Sequence, residues 1–469
     1  MWMWMKNPGK TMNKNKDNSI LTGSISGAIL TFFFPILIGT LFQQLYNTVD
    51  AAVVGQFAGT DALSSVGGSS AIVISLVVGF FTGLSAGCTV LISQYYGAGD
   101  RDLLDRALHT SYAFAIVGGL IFGVLAIIFT PAILHLMNTP ENLMASSTIY
   151  LRVYFAGLVF IFVYNMGSAI LRALGDSKRP LIYLIIGSVV NIVFDLLFVA
   201  VFHMEALGAA LATLLAQVVS AVLVTHCLMR KTKDAELRLR DIRFDMPLLG
   251  KMIKIGLPSG IQSSSYALSN MFIQSAVNLF GVATMAGYTV EGKVDIIFWM
   301  INGSFGIAAA TFVGQNYGAN QMERVRKGTA TCFLMAMLTA VVVIAFLLTF
   351  GKYMLRIFTT DTEVIEIGAH LISIIAPGYW LFVFIEIFSS ALRARGNTLV
   401  PTIINLVCII GIRVAWIAVF KQSMNLDLVI FCYPLSWAVC ALVMTIYYLY
   451  ARNRLPVRKE PPLKIQPQS

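Results

Sequence analysis

Apolar runs of about 20 residues recur along almost the whole chain, and they limit what it can fold into more than any other feature. A run of that length crosses a bilayer as one α-helix, because each residue adds ~1.5 Å and the hydrocarbon core is ~30 Å thick. Charged residues make up only 12% of the 469 residues, about half the fraction in an ordinary soluble domain. The pattern predicts an all-α membrane protein of twelve transmembrane helices, with spans at 24–49, 63–90, 108–130, 145–171, 181–202, 206–229, 252–280, 284–313, 329–350, 367–391, 402–420 and 427–450.

The Lys and Arg residues predict which side of the membrane each loop occupies. With the N-terminus inside, 27 of the 33 fall in segments on one side and only 3 on the other. Loops rich in Lys and Arg face the cytoplasm, so we expect a multi-pass protein of the cell membrane, with tails 1–22 and 451–469 both cytoplasmic. Because the basic residues are spread over short loops and form no single patch, the net charge of +10 does not indicate nucleic-acid binding.

The two halves of the chain repeat each other at a constant offset of 221 residues. The offset maps Gln94–Ala98 onto Gln315–Ala319, and the turn containing Leu171, Arg172 and Ala173 onto 392–394. Such regularity indicates duplication. We expect six-helix bundles at 23–229 and 252–450, joined by a cytoplasmic linker at 230–251. An even number of spans gives both copies the same orientation, so the bundles should be related by a pseudo-twofold axis along the membrane normal.

Polar residues on two helices of the first half are candidates for a functional site. The first span carries Gln43, Asn47 and Asp50 on one face. A hydrated, interfacial position is the alternative for Asp50. Asp195 lies 15 residues beyond Pro180, ~22 Å along a helix, where a carboxyl needs a proton or a partner. Asn191 on the same face and Thr213 on the next span are the expected partners; a purely structural polar cluster is the alternative.

The second half carries a different set of polar residues. Its first span has a neutral stripe, and further ionisable residues lie on later spans. They either line a cavity or pair with one another, and the sequence leaves both possibilities open. Pro35 is expected to bend the first span. The residues of the second half are Gln262, Tyr266, Asn270 and Gln274, then Glu291, Lys293, Asp295, Glu386 and Arg413.

Neither the cysteines nor the histidines show metal-ligand spacing, and there is no nucleotide-binding loop, so we expect no cofactor and no enzyme activity. Gly79, Gly83 and Gly87 instead form a small-residue face suited to helix packing.

Over residues 24–450 the chain resembles the multidrug and toxic compound extrusion (MATE) family. The resemblance rests on Asn47-Thr-Val-Asp50, the paired loops beginning at Gln94 and Gln315, and the paired Leu-Arg-Ala turns. It implies two bundles in a V, exporting amphipathic, often cationic compounds in exchange for H⁺ or Na⁺. Bacterial members with Asn-x3-Asp on the fifth span are similar here. The match implies a cation site, which would be a metal site if the ion is Na⁺, formed by Asp50, Asn191, Asp195 and Thr213, with Tyr150 beside them and Pro35 as the bend.

The chain departs from another branch of the family, which carries acids on spans 7 and 10. Tyr266 and Phe382 occupy those positions here, although Glu386 is one turn away. A flippase for lipid-linked precursors is the alternative function and would need a strongly basic cavity, for which only Lys293 and Arg413 are candidates. A channel would need no coupling acid. We expect small amphipathic molecules and the bilayer as partners, and a monomer.

Overall fold

The computed structural model describes residues 19–230, 235–420 and 425–454. Most of the two expected tails and the start of the linker lie outside these ranges. The described part of the chain is helical and contains no strand. The helices of the first half are α1 (Ile25–Phe57), α2 in segments Gly59–Gly67 and Ser69–Ala98, α3 (Arg101–Leu136), α4 in segments Glu141–Ala156 and Leu158–Ala173, α5 (Lys178–Asp195, continued by a π-helix at Leu196–Val201) and α6 (Glu205–Arg230).

The second half repeats this order after a short 3₁₀ turn at Leu239–Asp241. Its helices are α7 (Met246–Val277), α8 (Val282–Gly318), α9 (Met322–Leu355), α10 in segments Thr362–Ile375 and Tyr379–Ala394 around a 3₁₀ turn, α11 in segments Leu399–Asn405 and Ile412–Val419 around a π-helix, and α12 (Leu426–Ala451).

Within the described residues, twelve helical paths follow the expected order. Ten are long and apolar enough to span a membrane alone, and the two segments of α4, bent by 46°, supply an eleventh. The twelfth is α7, which has 32 residues but carries the neutral polar stripe expected from the sequence, so it is less apolar than the others.

Several helices are longer than the predicted spans, because the helical structure continues beyond the apolar run. The first span was expected to end at 49, but α1 runs to Phe57. Asp50 consequently lies within a helix instead of at its end. The helix is also continuous through Pro35, so a functional bend at that residue stays a prediction. Breaks at Gly68 and Gly157 were not foreseen.

Equivalent turns in the two halves support the duplication. Gly175 and Gly396 follow α4 and α10 with φ of +100° and +87°, in the left-handed region that favours glycine. In both turns the glycine N–H donates to the carbonyl three residues earlier, on Arg172 and Arg393 respectively. These positions differ by the same 221 residues, so the repeated sequence folds into repeated local structure.

The two lobes meet through α1 and α2 of the first and α7 and α8 of the second. The glycine face of α2 lies directly on α7: a Cβ on Gly83 would be 2.5 Å from Gly260, and one on Gly87 would be 2.3 Å from the Met252 carbonyl oxygen. These approaches run from the middle of α2 toward Ala98. We call that end of the molecule, which carries the loops rich in Lys and Arg, the basic end.

Candidate functional site

Two aspartates from different helices come together inside the first lobe. Asp195 is the last residue of the α-helical part of α5 and is fully buried. Asp50 projects from α1, and its carboxyl group is close enough to that of Asp195 for the two to interact directly. Both oxygens of Asp195 and Oδ1 of Asp50 are buried without a hydrogen-bond partner. Two facing carboxyls of this kind need a shared proton or a bound cation, because like charges at low dielectric repel strongly.

Neutral oxygens surround this carboxyl pair. Asn191 lies one turn before Asp195, and its Nδ2 donates to Thr213 Oγ1 at 3.5 Å. This bond leaves Asn191 Oδ1 buried and unpaired. Tyr150 is buried and interacts electrostatically with both aspartates. The four residues expected for the cation site, and the tyrosine beside them, are thus close together.

A cavity of about 280 Å³ extends from this cluster toward the basic end. Asn191 and Thr213 lie in its wall, as do Gln43 and Pro35, whereas Asn47 is exposed and is not part of the lining. Sequence reasoning missed most of its polar lining, including Tyr46 and Arg172. Tyr46 could have been found because it lies one turn before Asp50.

The second lobe encloses a larger cavity of about 620 Å³. Of the candidates from the sequence, Lys293 is exposed and absent from its lining, and Gln262 is buried outside the lining. The aromatic residues that α8 and α12 contribute to the lining were not foreseen. The predicted residues that line this cavity are Tyr266, Asn270, Gln274, Glu291, Asp295, Glu386 and Arg413. Its lining also contains the aromatic residues Tyr288, Trp299, Phe382, Tyr433 and Trp437, which were not predicted as lining.

In the described structure, the ionisable candidates of the second lobe form no ion pair with one another, although the sequence allowed this. Asp295 accepts hydrogen bonds from Trp299 Nε1, at 2.6 Å, and from the Tyr379 hydroxyl. Arg413 donates to two serine hydroxyls instead of to a carboxylate. The structure therefore favours cavity lining over mutual pairing.

Glu386 forms local contacts on its own side of the cavity. It accepts from Ser390 at 3.1 Å and lies 3.5 Å from the guanidinium of Arg393. Within the described ranges, no group of three or more His, Cys, Asp or Glu residues could hold a metal ion.

Two six-helix lobes, related by duplication and containing buried carboxyl groups and cavities, define a polytopic membrane protein with the architecture of a transporter. The MatE family model matches residues 35–197 and 258–418, one match in each lobe. The chain belongs to this family, and its resemblance to the multidrug and toxic compound extrusion transporters is confirmed.

Its relatives extend over nearly the whole chain. It is 31% identical to the probable multidrug resistance protein YoeA of Bacillus subtilis, over 93% of this chain and 96% of that protein. It is 22% identical to the multidrug export protein MepA of Staphylococcus aureus, over 92% of this chain and 95% of that protein. The fold is similar to that of a MOP superfamily transporter from Pyrococcus furiosus, with a TM-score of 0.88 and 22% identity over 95% of this chain and 99% of that one. The fold is also similar to that of an outward-facing MATE family transporter, with a TM-score of 0.87 and the same identity and coverage.

Proposed function

We propose that the protein is a secondary multidrug exporter that exchanges H⁺ or Na⁺ for amphipathic, cationic compounds. The relatives in Bacillus and Staphylococcus carry multidrug resistance and export names, and membership of the same family supports that activity here. The observation that carries the proposal is the carboxyl pair of Asp50 and Asp195, whose buried oxygens have no partner in the described structure.

The coupling step follows from the chemistry of this pair. A proton bridging the two carboxyls, or a Na⁺ held by them with the oxygens of Asn191 and Thr213, relieves their repulsion. The ion drives transport if the loaded and empty sites favour different arrangements of the lobes. Because Asp50 lies on α1, which also packs against α8 of the other lobe, ion binding acts on a helix that contacts both lobes.

The direction of opening follows from the predicted orientation. The closest approaches between the lobes lie toward the basic end, which the charge distribution assigns to the cytoplasm. In that orientation, both termini lie on the cytoplasmic side of the cell membrane, and the lobes are in the outward-open state. We expect the monomer to be sufficient for transport.

A flippase for anionic lipid-linked precursors is a weaker candidate. Such a substrate requires a basic cavity, but the larger cavity contains three carboxyl groups and one guanidinium. Lys293, one of two basic candidates, does not line it.

Transport by purified protein in vesicles tests the proposal. Vesicles without ATP are given either a pH gradient or a Na⁺ gradient, and movement of a fluorescent organic cation is followed. We expect one gradient to drive accumulation and its collapse by an ionophore to stop it. Equal movement with and without both gradients would contradict exchange and would favour a channel.

A further inference from the structure

We propose that the cavity of the second lobe is the binding site for the organic cation, with Glu291 as the carboxylate that recognises its charge. This inference rests on the proposed function and assigns its substrate to a particular lobe. It separates the two roles: the carboxyl pair of the first lobe takes the coupling ion, and the second lobe takes the exported compound.

Glu291 is the first observation. Its side chain is only 3% exposed and lies in the cavity wall, and Oε1 has no hydrogen-bond partner in the described structure. Asn302, three turns further along α8, is equally buried, and its Oδ1 is also unpaired. A buried acceptor without a partner is costly, and two of them facing one cavity indicate a ligand that supplies positive charge or donors.

The charge balance of the cavity points the same way. Its other two carboxyl groups already have partners. Asp295 accepts hydrogen bonds from Trp299 and Tyr379, and Glu386 forms an ion pair with Arg393. Adding Arg393 to Arg413 gives two guanidinium groups for three carboxyls. Glu291 is the carboxyl of the three with a buried oxygen that has no hydrogen-bond partner in the described structure.

The guanidinium of Arg413 makes its hydrogen bonds to groups other than Glu291. It donates to Ser436 at 3.1 Å and Ser269 at 3.2 Å, and it lies 4.2 Å from the centre of the Tyr433 ring. No ion pair joins it to a described carboxylate. Arg413 therefore does not neutralise Glu291, and a cationic ligand can do so.

Shape and lining decide between an inorganic and an organic cation. At about 620 Å³, the cavity falls within the ~300–1,000 Å³ range of small-molecule sites. Trp299 is in edge contact with Phe382, at 4.7 Å between ring centres, and Trp437 lies 5.9 Å from Trp299. Aromatic rings beside a carboxylate recognise organic cations, whereas a bare metal ion would leave most of this space unfilled.

Equilibrium binding to the purified full-length protein, without any gradient, tests the assignment. The probes are tetraphenylphosphonium and tetraphenylborate, which have nearly the same size and opposite charge. We expect saturable binding of tetraphenylphosphonium and no competition from tetraphenylborate. Glu291→Gln should weaken binding of the cation at least tenfold, and Glu291→Asp should restore part of the affinity. Glu366→Gln, which neutralises an exposed carboxyl outside the cavity, is the control and should leave the affinity unchanged.

A second variant blocks the space without changing any charge. Gly303 lines the cavity, and nothing lies within 4 Å of a Cβ added there. Gly303→Leu should therefore fold normally and lower the affinity for tetraphenylphosphonium at least tenfold. Gly250 also has open space around it but lies at the start of α7, outside the cavity. Gly250→Leu is the matched control and should bind normally.

Three results would overturn the proposal: unchanged affinity in both Glu291→Gln and Gly303→Leu, loss of binding in Asp195→Asn alone, or no binding of the cation by the unmodified protein. Failure of the proposed function would look different. In that case the cation would still bind and depend on Glu291, while gradients in vesicles would drive no transport.

Discussion

Gln94 and Gln315 make the same hydrogen bond in opposite directions between the two lobes. Gln94 Nε2 donates to the carbonyl of Ala394, and Gln315 Nε2 donates to the carbonyl of Ala173, both at 2.7 Å. The two donors differ by 221 positions, and so do the two acceptors. The bonds are therefore related by the pseudo-twofold axis, and together they hold the lobes closed at the basic end.

Removing these donors should favour separation of the lobes at that end. Each bond contributes about 0.5–1.5 kcal/mol, so Gln94→Ala or Gln315→Ala should shift the equilibrium roughly two- to tenfold, and the double variant further. Spin labels at the exposed, symmetry-related residues Asp102 and Glu323 report the distance between lobes. An unchanged distance distribution in the double variant would contradict this role. Gln274→Ala, which removes only a bond to Asn278, is the control.

The same contact depends on two glycines. A Cβ on Gly97 would lie 2.0 Å from the carbonyl oxygen of Gln315, and one on Gly318 would lie 2.0 Å from that of Gln94. A Cβ and a carbonyl oxygen cannot approach so closely, so Gly97→Ala should force the lobes apart and lengthen the distance between the spin labels. Gly411→Ala has open space and should leave it unchanged. If Gly97→Ala has the control's distance, the close approach is not required.

The glutamine loops show how far sequence reasoning reached. Their repetition at a fixed offset predicted the duplication and the twofold relation, because identical local sequences form identical turns. It could not predict that each glutamine bonds to the other lobe, since that contact depends on how the lobes dock.

The candidate sites show the same division. Asp195, Asn191 and Thr213 were predictable as a group because a carboxyl deep in an apolar helix needs partners. Asp50 was joined to them by the family resemblance. Trp299 and Tyr433 in the second lobe were missed because aromatic residues are common on membrane helices. Only the folded cavity distinguishes them from residues that face lipid.

A pH-dependent contribution to stability is expected at the linker. Asp245 caps α7 by accepting from the Leu248 N–H at 3.2 Å, and Arg106 of α3 lies 2.5 Å from it. The pKa of Asp245 is lowered by the backbone N–H of Leu248 and by Arg106. A lowered pKa stabilises the folded state above the unfolded pKa of ~3.9, and this contribution is lost as the pH falls through the folded value.

Asp245→Asn isolates that charge, because asparagine still caps a helix. We expect a small decrease in melting temperature at pH 7 that persists to about pH 4 and disappears below it. The measurement is thermal unfolding in detergent across this range. A difference that stays constant at low pH would show that lost packing, not charge, is responsible.

The orientation can be tested with reporter fusions. A reporter that is active only outside the cytoplasm should work when fused after Asn138, between α3 and α4, and should fail when fused after Asp241, before α7. The reverse pattern would invert the predicted topology.

The most direct test of the central claim is gradient-driven export by the Asp50→Asn, Asp195→Asn double variant in vesicles. The substitutions remove both charges while roughly keeping side-chain shape, so the protein should insert normally and bind tetraphenylphosphonium. Export under the driving gradient should fall at least a hundredfold, and Glu386→Gln, tested in parallel, should retain most activity. Full gradient-driven export by the double variant would contradict coupling through this carboxyl pair.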